Sequence, residues 1–257
     1  MSSERVKLSI ENGVALVKLN RPDKRNALDM AMFKALDDVS RALRKDRTVR
    51  AVIVRGAGED FCSGLDVKSM MNSRSAAAKL LAKWLPGRSN PAQRVSTNWR
   101  RIPAPVIMAI HGRCWGGGLQ IALGGDFRLV SPDATLSVME GKWGLIPDMG
   151  GNVALRELVT KDVAMKLTMT AEVISAQQAL DIGLVTAIAD DPLAEASALA
   201  RQIAKRSPDA VAATKKLYHR NWYRSERHML AKESLYQLRI LLGKNRSRAV
   251  RKQLKPD

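Results

Sequence analysis

Two glycine-rich loops, Phe61-Cys-Ser-Gly-Leu-Asp66 and Trp115-Gly-Gly-Gly-Leu119, carry the chemistry that can be read from this chain. Each follows a short apolar run, 51–54 and 106–110, that reads as a buried strand, and each leads into a stretch able to start a helix. Glycine permits a sharp turn and lets another molecule come close to main-chain N–H groups. The turn through Gly64 presents the N–H of Leu65, and the second loop presents that of Gly117. On neighbouring strands two such donors can aim at one oxygen, the arrangement that stabilises negative charge forming on a carbonyl oxygen. Either loop alone reads as an ordinary tight turn. Together, each behind a strand and with a carboxylate downstream, they point to a site.

Competing chemistries fit less well. Gly56-Ala-Gly-Glu-Asp-Phe61 begins like a dinucleotide fingerprint but lacks the third glycine and opens no immediate helix. No Gly-Lys-Ser/Thr follows any glycine cluster, so a P-loop is absent, and no Ser/His/Asp order stands near a nucleophile elbow. The sequence shows no metal-ligand cluster, so no metal is expected. His219 and His228 fall in a basic tail and are expected to be exposed. Cys62 and Cys114 both lie beside the glycine loops and read as small, half-buried thiols.

The elements that must position these loops alternate. Val6–Ile10 and Val14–Leu19 form a hairpin through Glu11-Asn-Gly13. Asp29 caps a helix whose apolar positions Met32, Leu36, Val39 and Leu43 step by four, three and four. The polar stretch 73–101, broken at Pro86-Gly87 and Asn90-Pro91, reads as a mobile cover beside the first loop. Further strands are expected at 127–130, 135–138 and 184–188, a helix at 118–123, another at 150–159, and helix almost throughout from Pro192. Strands alternating with helices argue α/β, and the tail argues a helical subdomain. The expected division is 1–191 for the core and 192–257 for the basic helical region.

With 257 residues, 46% of them hydrophobic, the chain can bury a sizeable core. No run approaches the roughly 18 apolar residues of a membrane helix. The N-terminal residues lack the apolar region of a signal peptide, so a cytoplasmic protein is expected. Net charge is +18, and from residue 201 onward 16 Lys and Arg face 4 Asp and Glu. Such a surplus attracts polyanions, leaving nonspecific nucleic-acid binding open beside the reading of a solvated basic face.

The segments Phe61–Asp66, His111-Gly-Arg-Cys-Trp-Gly-Gly-Gly118 and Gly144-Leu-Ile-Pro147 resemble the signature segments of the crotonase (enoyl-CoA hydratase/isomerase) superfamily. So do Asn20-Arg-Pro22, Asn26-Ala-Leu28 and the stretch 176–185. The resemblance implies an α/β spiral of ββα units with a C-terminal α-helical trimerisation region, assembled as a homotrimer or hexamer. It also implies an acyl-CoA thioester whose carbonyl oxygen accepts the N–H groups of Leu65 and Gly117, with no cofactor beyond the CoA of the substrate. The stretches that resemble CoA contacts hold Lys24, Arg25, Ala27 and Leu28, then Gly64, Leu65, Asp66, Val67 and Lys68, with Gly116 beside the second donor. Trp84, Trp99, Trp115 and Trp143 either line an acyl pocket or pack in the core, and His111 is structural by the same resemblance.

The family's hydratases carry two glutamates; here the first position is Gln120 and the second Glu140. Glutamine can orient a water or a carbonyl but cannot exchange a proton at neutral pH. Water addition needs both an activated water and a delivered proton, so hydration is the second reading. A double-bond shift needs one base, Glu140, to take a proton from C2 and return it further along the chain. Asp148, eight residues later, resembles the second acid of dienoyl-CoA isomerases, and alternatively caps the following helix. An RNA-binding homologue using the tail from Lys215 to Lys255 remains the alternative of another class.

Overall fold

The computed structural model describes residues 4–71, 74–83, 85–243 and 245–246. Strands β1 (Val6–Glu11) and β2 (Val14–Leu19) form the expected hairpin, with Asn12 and Gly13 both at positive φ, as a two-residue turn between twisted strands requires. Helix α1 (Met30–Lys45) starts at Asp29, whose carboxylate accepts the N–H of Met32 at 2.8 Å, and its four-three-four stripe is buried. Strand β3 (Ala51–Gly56) lies parallel to β2.

Helix α2 (Val67–Met71) precedes the segment expected to be a cover, and α3 (Arg74–Leu81) and α4 (Pro91–Thr97) lie within it. That expectation fails from Asn90 onward. A capping box between Asn90 and Gln93 starts α4 on Pro91, and Val95 and Trp99 then bury completely against α1 and the helix after the second glycine loop. Of the polar residues that suggested a cover, Arg94 and Asn98 bond inward to Asp37 of α1, and Thr97 and Arg101 bond Ser89. Trp84 lies outside the described residues.

Strands β4 (Val106–Ile110) and β5 (Arg113–Trp115) precede helix α5 (Gly117–Leu123), and β6 (Phe127–Val130) and β7 (Thr135–Ser137) follow. Then come α6 (Asn152–Leu158), α7 (Lys161–Thr170), β8 (Ile174–Ser175), α8 (Ala176–Asp181) and β9 (Ala187–Ile188). The main sheet has the order β1-β2-β3-β4-β6-β9, parallel except for β1, and a second sheet has the order β5-β7-β8. β3 and β4 are buried on both faces, which explains their unbroken apolar runs. Val52, Val54, Met108 and Ile110 turn to the larger core; Ile53, Ile107 and Ala109 turn to the other face.

Helix α9 (Pro192–Ala204) closes that second face with Ala196 and Ala200, whose small side chains let it lie close to the sheet. Helices α10 (Pro208–Asn221) and α11 (Glu226–Leu241) then form a hairpin. Along α11 no residue is buried, and Leu230, Leu235, Leu238 and Leu241 stand exposed. No helix among the described residues is long and apolar enough to cross a membrane.

The tail histidines depart from expectation. His219 sits half-buried, 2.6 Å from Asp126, and His228 pairs with Asn221 at 3.0 Å. The reason is the packing of α10 against the start of β4, where Lys215 also reaches Asp126 at 2.7 Å. Burial alone would raise the Asp126 pKa, but Lys215 and His219 together hold it below the ordinary carboxylate range.

Candidate active site

The two glycine loops meet through a ribbon of main-chain bonds beyond the carboxyl ends of β3 and β4. Phe61 N–H donates to the His111 carbonyl at 2.9 Å, Cys62 N–H donates to the Arg113 carbonyl and Trp115 N–H to the Cys62 carbonyl, each of the last two at 3.0 Å. On the other side the Leu28 N–H donates to Gly64 O at 2.8 Å, and Asp66 N–H returns to Leu28 O at 3.0 Å. Residues 61–66 are therefore held as an extra strand between 25–28 and 111–115. Neither the N–H of Leu65 nor that of Gly117, the first residue of α5, has an acceptor among the described residues. A methyl group placed on Gly64 (φ +95°) would lie 2.9 Å from the Trp115 carbonyl oxygen and 3.4 Å from the Gly117 nitrogen. The absence of side chains is what lets the two main chains come so near.

Glu140 lies on a 3-10 turn, 139–143, after β7 and is almost fully buried. Its Oε1 accepts the Gln120 amide N–H at 2.5 Å and lies 3.7 Å from where a Gly116 Cβ would stand. Its Oε2 is buried with no hydrogen-bond partner among the described residues. Burial pushes the Glu140 pKa above its ordinary value, the Asp148 charge adds to this, and the Gln120 bond opposes it. One oxygen is thus anchored and the other is bare.

Gln120 is committed on both ends. Its carbonyl oxygen accepts the N–H of Met149 at 2.9 Å and of Gly151 at 3.2 Å, while its amide nitrogen holds Glu140. It therefore ties the 147–151 loop to α5. Asp148 rides on that loop at the rim, open to solvent on one side and crowded on the other, and its pKa is raised by that crowding. The capping alternative for Asp148 is overturned: Gly151 is the N-cap of α6, with no side-chain bond, because the helix begins two residues later than expected.

Of the remaining expected residues, Lys24, Arg25 and Lys68 are exposed, and Val67 opens α2. Ala27 and Leu28 are buried, and Leu28 touches the place where Gly117 would carry a side chain, as does Met149. Asp66 is occupied by Arg21, whose Nη1 donates to it at 2.8 Å and to the Ala27 carbonyl at 3.0 Å. That arginine is a residue the sequence reading passed over. Its only signal was its place in Asn20-Arg-Pro22. Asn26, buried at φ +55°, likewise stitches the loops by donating to Ala57 O and Asp60 O.

The cysteines are fully buried rather than half-buried, since the bridge between the loops passes through both residues. Cys62 donates its thiol to Asn26 O, and burial pushes its pKa up to about 12. Trp99 is core, Trp115 is bonded to Thr135, and Trp143 stands 59% exposed on the lip beyond Glu140. Among the described residues no group of three His, Cys, Asp or Glu is placed to hold a metal ion.

Comparison with known proteins agrees with this architecture. The Enoyl-CoA hydratase/isomerase family model matches residues 9–244. Over 214 residues the chain is 37% identical to (E)-benzylidenesuccinyl-CoA hydratase of Thauera aromatica, covering 82% of this chain and 80% of that one. It is 36% identical over 215 residues to the mitochondrial Delta(3,5)-Delta(2,4)-dienoyl-CoA isomerase of Mus musculus, covering 80% of this chain and 66% of the mouse enzyme's length. Among solved structures, a putative enoyl-CoA hydratase from Streptomyces coelicolor superposes with a TM-score of 0.86 at 30% identity, over 98% of this chain and 92% of that one. The Thermoplasma volcanium enoyl-CoA hydratase superposes equally well, 0.86 at 27% identity over 98% of each chain. The mixed α/β fold is that of the crotonase superfamily, with a helical C-terminal region. The chain belongs to the enoyl-CoA hydratase/isomerase family.

Proposed function

We propose that this enzyme moves a carbon–carbon double bond of an acyl-CoA thioester, converting a 3-enoyl or 3,5-dienoyl chain to the 2-enoyl or 2,4-dienoyl form. The observation that carries this reading is the bare, buried Oε2 of Glu140 beside two main-chain donors that lack acceptors. The thioester carbonyl oxygen would accept from Leu65 and Gly117, so that charge developing on it is stabilised by dipoles already in place. Glu140 then takes the proton at C2, whose acidity that enolate provides, and the electron pair shifts along the chain. For a 3-enoyl chain the same carboxyl returns the proton at C4. For a 3,5-dienoyl chain the charge extends to C6, further than one carboxyl reaches, and Asp148 at the rim delivers that proton. The name and 36% identity of the mouse relative favour the dienoyl form.

Hydration with Glu140 alone is the second reading, and the Thauera relative's name favours it. It requires Gln120 to hold a water, whereas both ends of that side chain are occupied. Lys24, Arg25 and Lys68 are assigned to the CoA phosphates, and the exposed leucines of α11 to contacts within a trimer or a hexamer. A panel of enoyl- and dienoyl-CoA thioesters, followed by mass spectrometry in deuterated water, tests the assignment. Deuterium uptake without gain of water mass is the expected result. Gain of water at a comparable rate on crotonyl-CoA would replace isomerisation by hydration.

A further inference from the structure

A cavity of about 660 Å³ lies between the end of α1, the turn at 99–103 and the facing sides of α10 and α11. It shares no lining residue with the Glu140 site. Some of its cations are already paired: Lys215 with Asp126, which His219 also bonds, and Arg100 with Glu157 at 2.7 Å. The others are not. Arg44, Arg47, Arg220 and Arg239 make no ion pair among the described residues, and Arg101 bonds only the neutral side chains of Asn98 and Ser89. Asp209 is the one carboxylate of the lining, and it accepts a bond from Asn245.

Five guanidinium groups around one concavity repel one another. Arg101 registers this: burial first, and then the charges of Arg44, Arg220 and Arg94, lower its pKa. Low-dielectric walls focus the field of such a cluster, so an anion placed there gains more than it would beside scattered surface arginines. Guanidinium forks suit phosphate oxygens in paired bonds, and one phosphate would engage only two of the five. The rest of the wall is apolar, built from Ile102, Pro103, Ala212, Ala213 and Ile240, with the Tyr236 ring beneath the Lys216 ammonium at 5.0 Å. The volume lies within the range of about 300–1,000 Å³ of small-molecule pockets. Clustered positive charge beside an apolar wall matches a ligand with clustered phosphates and a flat ring.

We propose that this cavity binds a nucleoside di- or triphosphate, independently of the acyl-CoA site. A nucleic acid strand is the lesser fit, because the unpaired cations converge on one hollow rather than run along a face.

The test is calorimetric titration of the full chain with ATP, and separately with inorganic tripolyphosphate, in about 150 mM salt, where nonspecific phosphate attraction is much reduced. ATP should bind, tripolyphosphate should bind more weakly for want of the ring, and saturating coenzyme A should leave ATP binding in place. The exposed pair Arg44→Ser/Arg239→Ser should weaken ATP at least about tenfold and leave coenzyme A binding unchanged. The single change Arg47→Ser serves if the pair fails to fold, with a loss of about threefold expected. No binding of ATP, unchanged affinity in these variants, or full displacement of ATP by coenzyme A would each overturn the proposal. So would tighter binding of a 12-nucleotide RNA that displaces ATP, which would make the hollow part of a nucleic-acid surface. A change of oligomeric state in the arginine variants without ATP binding to the parent protein would identify it as a contact between copies.

Discussion

Glu140 and Gln120 stand 2.5 Å apart, and the neutrality of the one sets the work of the other. Glu140→Gln should lower turnover of the enoyl-CoA by about 10²–10⁴, the range for a lost general base. The same change should leave the thermal midpoint at pH 8 unchanged or higher. Because the folded pKa of Glu140 is raised, its protonated form favours the fold, and that stability is lost as pH rises through the raised value. The glutamine keeps a neutral group at every pH, so calorimetry of both proteins from pH 4 to 8 checks the sign. For the parent enzyme, kcat should fall on the acid side at a pH above the ordinary glutamate range. Gln120→Glu keeps an oxygen to accept from Met149 and Gly151 but sets a like charge against Glu140, so this limb should move up by about one pH unit or more. A pH–rate profile that does not move would remove Gln120 from contact with the base. Residue types alone marked the two turns, where Gly64 and Gly116 stand at positive φ. They could not show Gln120's bonding, which depends on the 147–151 loop folding back onto α5.

At the scale of elements, the site depends on three ribbons of chain lying side by side. Gly118 of α5 packs so tightly on the first loop that an added methyl would overlap the Cys62 carbonyl oxygen. Gly118→Ala should therefore destabilise by about 1–3 kcal/mol, read from the urea midpoint, as overpacking of a tight site does. Arg21 joins the ribbon of 25–28 to the start of α2 through Ala27 and Asp66. Arg21→Ala should cost about 1–3 kcal/mol and raise KM for the acyl-CoA more than it lowers kcat, because the strut lies beneath the proposed CoA-contacting stretches. Most elements were legible: β3 and β4 as apolar runs, and α1 as a capped stripe. The three-residue strand β5 and the two-residue β8 were not, because so short a run carries no periodicity and forms only by pairing with β7. The burial of α4 escaped notice because its apolar positions are few and its polar ones bond inward to Asp37 and Ser40 through Arg94 and Asn98.

For the whole molecule, α11 is the unfinished part: a sixteen-residue helix with leucines in water. A face of that kind is covered in the trimer we propose, so sedimentation should give a multiple of three chains. Leu238→Glu combined with Leu241→Glu should dissociate it while far-ultraviolet circular dichroism stays the same; a parent protein that sediments as a monomer would refute the assembly. The surplus of lysine and arginine in the last helices was plain from composition, yet the pairing of Lys215 was not, because its partner Asp126 comes from a distant segment. The two cysteines give the folded state a built-in reporter. Both thiols are sealed where the glycine loops cross, so an aromatic disulfide reagent can react only in molecules whose loops have parted. The rate of that labelling, with and without acyl-CoA, would time the breathing of this crossing in the unaltered protein.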